Sequence, residues 1–329
     1  MARESEPKSK ATEPGNTGSS KDNGGAATTE SRGLSLLHPD VVARIGPLHL
    51  KARQVVEGVL SGLHRSPHHG QSIEFSEHKE YSQGDEIRHI DWKAYGKFDK
   101  YYVKQFEHET NLRGWIVVDA SNSMAYSNDG VTKLEYAKVL AASLAYLMTQ
   151  QGDAVGVLVY GSGARAYLPA RASGGHLHEV LKTLDDATAA EGTDLGTTLD
   201  FLAERSPRRA MVLLLTDLLD PEEATLAHLR RLRARKHDIS VFHVMDRAEL
   251  DFPFEDPTLF VGMEDERQLP IHPLEIRESY IEEVEAFIES TQRALTEADI
   301  DYRHTLTDTP YDKVLIDFIG RRGHLRSNT

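Results

Sequence analysis
The stretch WIVVDASNSM, Trp115 to Met124, decides how the rest of the chain is read. Trp115, Ile116, Val117 and Val118 form a short apolar run rich in β-branched residues, the pattern of a strand buried on both faces. The run ends in Asp119, and Ser121 and Ser123 follow at every second position. Side chains at that spacing can line one side of a turn, so the three present small oxygens to one place. A large side chain there would fill the space that an ion needs.

Outward from this stretch the chain alternates strands and helices. KLEYAKVLAASLAYLMTQQ reads as a helix apolar on more than one face, and so largely buried. DAVGVLVYG and ARAYLPA are strands joined by a Gly-rich turn, followed by the helices GGHLHEVLKTLDDA and DLGTTLDFLAER. AMVLLLTD is a strand, PEEATLAHLRRLRARK a helix and DISVFHVMD a strand. The basic end of that helix, Leu229 to Lys236, suits the macrodipole and reads as a solvated face, with a docking patch for an acidic partner as the alternative. The alternation predicts an α/β, Rossmann-like, doubly wound and mostly parallel sheet over residues 111–247.

Residues 1–33 carry no Leu, Ile, Val, Phe, Tyr or Trp and are expected to be a disordered tail. Residues 34–110 form an N-terminal segment that opens with a helix from about Leu37 to Leu63, with a break expected at Gly46-Pro47, and ends in a strand KYYVKQFEHE. Residues 248–329 are expected to be an extension packing on the sheet. There DFPFEDPTLFVGMEDERQLPIHP reads as a loop with one short strand, and a long amphipathic helix follows with Tyr280, Val284, Phe287 or Ile288, Thr291 and Leu295 on its inner stripe. DYRHTLT is a strand and PYDKVLIDFIGRR a final helix.

In open parallel sheets ligands bind outside the carboxyl ends of the strands, where strand order reverses. Three loops reach such positions with Asp, Ser or Thr: DASNS, EGTDLGTTL with Thr193, and LLLTDLLD with Asp217. Any one of these could merely cap a helix. Two strands that both end in aspartate, with a Thr loop between them, point further. Two carboxylates held together repel, and a cation between them removes the repulsion. All the donors are hard oxygens, which favours magnesium, with manganese or calcium as competitors. Such a cage leaves a coordination position that a partner's carboxylate could fill.

With these residues the chain resembles a von Willebrand factor type A domain. The metal-ion-dependent adhesion site of that family follows the pattern Asp-x-Ser-x-Ser, then Thr, then Asp. Asp119, Ser121, Ser123, Thr193 and Asp217 match it, while the family's common Gly after the last Asp is Leu218 here. Over roughly residues 36–320 the chain is also similar to the bacterial family called domain of unknown function fifty-eight. The similarity rests on EFSEHKEYSQGDEIRHIDWKAYGKFDKYYVKQFEHETN running into DASNSM, with GDEIRHIDW as the hallmark. It implies the A-type fold and, because members are often encoded beside MoxR-type AAA+ ATPases, a metal-dependent protein-binding adaptor working with such an ATPase or its client.

Within the hallmark, Asp85, Arg88, Asp91 and Trp92 suggest either an ion-pair network pinning this segment to the sheet or a partner-binding surface. YGSGARA half-matches a dinucleotide fingerprint, but a strand rather than a helix follows, so a hairpin turn is the better reading. No phosphate-binding loop G-x-x-x-x-G-K-[ST] occurs. His64, His68, His69, His176 and His178 lack the spacing of a zinc site. An enzyme alternative is a magnesium-dependent phosphohydrolase with Asp119 as nucleophile. Against it, the related phosphotransferases have a second Asp where Ser121 stands, and the three loops hold no His or Lys.

The 329 residues contain no cysteine, which excludes disulfides, thiolate catalysis and Cys-ligated zinc. A net charge of −14 argues against nucleic acid or an anionic membrane surface as the general partner. No apolar run approaches the roughly 20 residues that span a bilayer, and the N-terminus lacks the apolar core of a signal peptide. The expectation is a cytoplasmic protein.

Overall fold
The computed structural model describes residues 47–65, 79–80, 102–103 and 112–326, with Pro39 and Val42, apart from 174, 207, 208, 220, 221 and 266. Asp85, Arg88, Asp91 and Trp92, the tail over 1–33, and the side chains of His64, His68 and His69 lie outside the described residues.

Helix α1, Leu48–Arg65, starts directly after Pro47, where the break was expected. Strands β1, Lys79–Glu80, and β2, Tyr102–Val103, pair antiparallel. The main sheet opens with β3, Arg113–Asp119, and continues through α2, Lys133–Gln150, β4, Ala154–Tyr160, and β5, Ala164–Arg171. Then come α3, His176–Asp185, α4, Leu195–Arg205, β6, Met211–Thr216, α5, Glu222–Ala234, and β7, Asp238–Met245. A short helix α6, Arg247–Asp251, precedes β8, Thr258–Val261, and β9, Gln268–Ile271. The chain closes with α7, Pro273–Glu297, β10, Asp301–Leu306, and α8, Tyr311–Arg326.

The main sheet runs β10-β7-β6-β3-β4-β5, parallel throughout except for β5. The chain enters at β3, builds β4 and β5 to one side, then returns to place β6, β7 and β10 on the other. The switch of direction falls between β3 and β6, and the crevice for a ligand opens at their carboxyl ends. Burial explains the continuous apolar runs: β4 and β6 are buried at every position. The edge strand β5 is only partly buried and tolerates Pro169, which could not donate to a second neighbour.

Alternation along the strands separates two cores. Ile116, Val118, Val157, Leu213 and Phe242 face α1, α2, α3 and α8. Val117, Leu158, Val212, Leu214 and Val241 face α4, α5 and α7. Helix α2 is apolar nearly all round because α1 lies in the same core cluster with it. Along α7, Thr291 and Leu295 are buried, whereas Tyr280, Val284, Phe287 and Ile288 are only half-buried.

Two expectations need correction. The sheet does not end at residue 247, because β10 pairs with β7 from Asp301↔Ser240 to Leu306↔Met245, and α8 buries Tyr311, Leu315 and Phe318 in the first core. Val55 and Val59 of α1 share that core. Boundaries drawn where the local pattern loosens miss partners that arrive from distant sequence. The second correction concerns 252–272, which contains a two-stranded hairpin, β8 with β9, rather than one strand in a loop.

The basic helix is tied down by surface pairs, Arg231 to Asp200 and Arg233 to Asp299, as a solvated face would be. His176 spends its ring on the Val155 carbonyl and on Glu179, a structural role. Among the described residues no helix is long and apolar enough to cross a membrane.

A chain cut after Arg247 is expected to lose cooperative thermal unfolding, read by circular dichroism, because the β7 edge and one face of Phe242 are uncovered. A cut chain that unfolds cooperatively at the full-length midpoint would restore the boundary at 247.

Candidate functional site
Parallel pairing of β3 with β6, through Val118↔Leu215, brings the ends of the two strands side by side. Asp119 closes β3 and Asp217 directly follows β6, so both carboxylates reach the switch-point crevice, and both are buried. Asp119 is held by neutral donors. Its Oδ1 accepts from the Ser121 N–H at 2.9 Å, and its Oδ2 from the hydroxyls of Tyr160 at 2.8 Å and Thr216 at 2.7 Å. Burial, and then the charge of Asp217, push the Asp119 carboxyl up to about 6, against the pull of these donors.

Asp217 is answered differently. Lys133, at the first position of α2, is only 1% exposed, and its Nζ donates to Asp217 Oδ2 at 2.9 Å and to Glu249 Oε1 at 2.7 Å. Burial opposes the ammonium, yet Asp217 and Glu249 outweigh it and hold its pKa above the ordinary value. Lys133 therefore stays charged.

The Ser121 and Ser123 hydroxyl oxygens lie 3.0 Å apart. Neighbouring oxygens around magnesium, at 2.0–2.1 Å from the ion in octahedral geometry, are separated by about 2.9 Å. The two hydroxyls share a hydrogen bond at this distance, and the same spacing would suit two adjacent positions on a small hard cation. Among the described residues no group of three His, Cys, Asp or Glu forms a metal cluster. A cation here would rest on hydroxyls as much as on carboxylates. Thr193 is half-buried in the third loop, between Gly192 and Asp194, and Asp194 caps α4 through the Thr197 N–H. This loop is stitched to the first: Ala190 N–H donates to the Ala120 carbonyl, and Ser121 bridges to Ala190.

At Leu218 the loop after Asp217 takes a left-handed φ of 53°. That costs a residue with a Cβ about 1–2 kcal/mol relative to glycine. Burial of the Leu218 side chain in the second core and its N–H bond to Thr216 Oγ1 at 3.1 Å offset the strain. The departure from glycine thus leaves the turn in the shape that glycine would favour.

Lys133, Tyr160, Thr216, Glu249 and Glu264 line these loops without having been singled out from sequence. Lys133 opens α2 on the same turns as Glu135 and Lys138, so nothing local set it apart. Tyr160 and Thr216 could have been noticed as the hydroxyl-bearing final residues of apolar strands. Glu249 and Glu264 had no such signal, because their positions depend on how residues 247–271 fold back. Glu264 accepts from the Ser123 N–H at 2.8 Å and the Gly192 N–H at 3.0 Å.

The family described as protein of unknown function DUF58 matches residues 77–288. Uncharacterized proteins of Mycobacterium tuberculosis and Mycobacterium bovis are 28% identical over 241 residues, covering 68% of this chain and 75% of theirs. Among solved structures, an aerotolerance-related membrane protein from Bacteroides fragilis matches with a TM-score of 0.45 and 19% identity, over 64% of this chain and 99% of that one. BatB from Bacteroides thetaiotaomicron matches with a TM-score of 0.43 and 17% identity, over 65% and 99%. The SpRpn10 VWA domain matches with a TM-score of 0.39 and 10% identity, over 63% and 94%.

Lys133→Met leaves Asp217 buried beside a methyl group and Glu249 without its ammonium. The expected loss is about 3–5 kcal/mol in urea unfolding. A loss below about 1 kcal/mol, the range of exposed pairs, would show that Lys133 does not neutralise Asp217.

Proposed function
The chain belongs to the family described as protein of unknown function DUF58, and from that premise we propose a non-enzymatic adaptor that captures an acidic protein partner through a divalent cation. Asp119, Ser121, Ser123, Thr193 and Asp217 would hold the cation directly or through water, with magnesium preferred over manganese and calcium for this set of hard oxygens. When bound, the cation supplies positive charge to the two strand-end carboxylates and an open position for a carboxylate from outside. The partner is a MoxR-type AAA+ ATPase or its client, met in the cytoplasm; this part of the reading rests on the family resemblance.

The observation that carries the proposal is an imbalance of charge at the switch point. Asp119 is buried among neutral donors while Asp217 shares its only described ammonium, Lys133, with Glu249. Divalent charge beside the serine pair would relieve what Lys133 leaves. The remaining chain does the positioning. Tyr160 and Thr216 orient the Asp119 carboxylate, and the Ser121 N–H fixes its other oxygen.

Hydrolysis by Asp119 would need a group to move protons. The two nitrogen groups that packing brings to these strand ends do not serve. Lys133 is held as an ammonium by its two carboxylates. His243, beside Thr216 in the sheet, is pushed down to about 3 by burial and then by His304. Such an imidazole is too weak a base at neutral pH.

Magnesium is expected to raise the thermal midpoint of the wild-type chain and to leave that of Asp119→Ala unmoved. At a hundredfold excess over its dissociation constant the gain is about 2.7 kcal/mol. The Asp119→Ala fold is expected to survive, because the Tyr160 hydroxyl can donate to Thr216 Oγ1, already 3.1 Å away. Pull-down of the MoxR-type ATPase should need magnesium and Asp119. Capture that persists unchanged in excess chelator would remove the cation from the mechanism.

A further inference from the structure
Glu264 sits at the tip of the β8–β9 hairpin, far in sequence from the three loops, yet its carboxylate lies on them. Oε1 accepts from the Ser123 N–H and Oε2 from the Gly192 N–H, one donor from each of two loops. The neighbouring Met263 carbonyl accepts from Asn122 Nδ2 at 3.2 Å. Gly192 can aim its N–H this way because it has a φ of +82°, and a Cβ there would stand 2.8 Å from the Ser162 Cβ. Two backbone donors converging from separate loops on one carboxylate form a seat for an anion, next to the hydroxyls of Ser121 and Ser123.

We infer that the Ser123 and Gly192 N–H groups are the seat for the partner's carboxylate, and that Glu264 is a tethered competitor which the partner must displace. The identity of the partner rests on the adaptor reading. The seat itself consists of backbone donors and needs no cation. The class of partner follows from the occupant: a single side-chain carboxylate on an exposed turn, as Glu264 is presented between Met263 and Asp265.

The hairpin is built to let go at its tip and stay attached at its base. Phe260 packs on Phe252 and Phe254 at centroid distances of 5.6 and 5.2 Å, which anchors the ribbon. Toward the tip, Val261 is 53% and Met263 39% exposed, so little apolar burial holds that end down. Among the described residues, its hydrogen bonds to the site are the three above, two of them in exposed surroundings. Segments with so few buried contacts open locally at low free energy.

The test titrates sodium acetate into the full chain, following the Ser123 and Gly192 amides by NMR, in magnesium and in chelator. A seat closed nine times in ten raises the apparent dissociation constant about tenfold. Glu264→Ala is therefore expected to shift both amides at an acetate concentration about tenfold lower than wild type, or lower still. Glu264→Gln, which keeps an acceptor oxygen without the charge, should fall between them. Equal titration of wild type and Glu264→Ala overturns the competition, and if magnesium tightens both equally the adaptor reading still stands. A tenfold gap between the two chains, with acetate affinities that magnesium leaves unchanged in both, supports the competition while removing the cation from the adaptor reading.

Discussion

Parallel pairing of β3 with β6 is the constraint on which the rest depends. These strands are nearly a hundred residues apart in sequence, and each leads from an apolar run to a buried aspartate, Asp119 or Asp217. Once they lie side by side, two carboxylates share one low-dielectric corner, and each raises the electrostatic cost of the other. The molecule answers asymmetrically. Asp217 receives the ammonium of Lys133, itself pinned at the start of α2, while Asp119 receives hydroxyl and amide hydrogens that carry no net charge.

That asymmetry is what the proposed binding role builds on. Here the ammonium is locked between two acids and the imidazole of His243 is buried as the neutral form. What the crevice does offer is fixed polarity: a hydrogen-bonded serine pair, a left-handed turn at Leu218 and two N–H groups from separate loops. Fixed donors of this kind suit recognition of a carboxylate, and the chain's own Glu264 already uses them.

The covered faces of the sheet follow the same economy of distant partners. α1 comes from before the sheet and α8 from after it, and both bury their apolar faces in one core with α2. Edge strand β10 closes β7 from more than fifty residues away, which is why the sheet domain and its supposed extension share one fabric. The hairpin carrying Glu264 is held by the aromatic cluster of Phe252, Phe254 and Phe260.

Sequence alone determined the order and type of nearly every element between residues 112 and 246, because period two, period 3.6 and Gly-rich turns are local signals. It also marked Asp119, Ser121, Ser123 and Asp217 as oxygen donors at strand ends, since an apolar strand that stops at an acid is visible without coordinates. Tertiary structure decided which of them meet, and with what. Lys133 and Tyr160 enter the site from the start of a helix and the end of a neighbouring strand, and Glu249 and Glu264 from a fold-back that no local period announces. The sheet's outer strand and the meaning of Leu218 were likewise settled only by packing. The physical reason is one of range: propensity and periodicity act over a few residues, whereas charge compensation and edge pairing act through space between segments whose sequences carry no trace of each other.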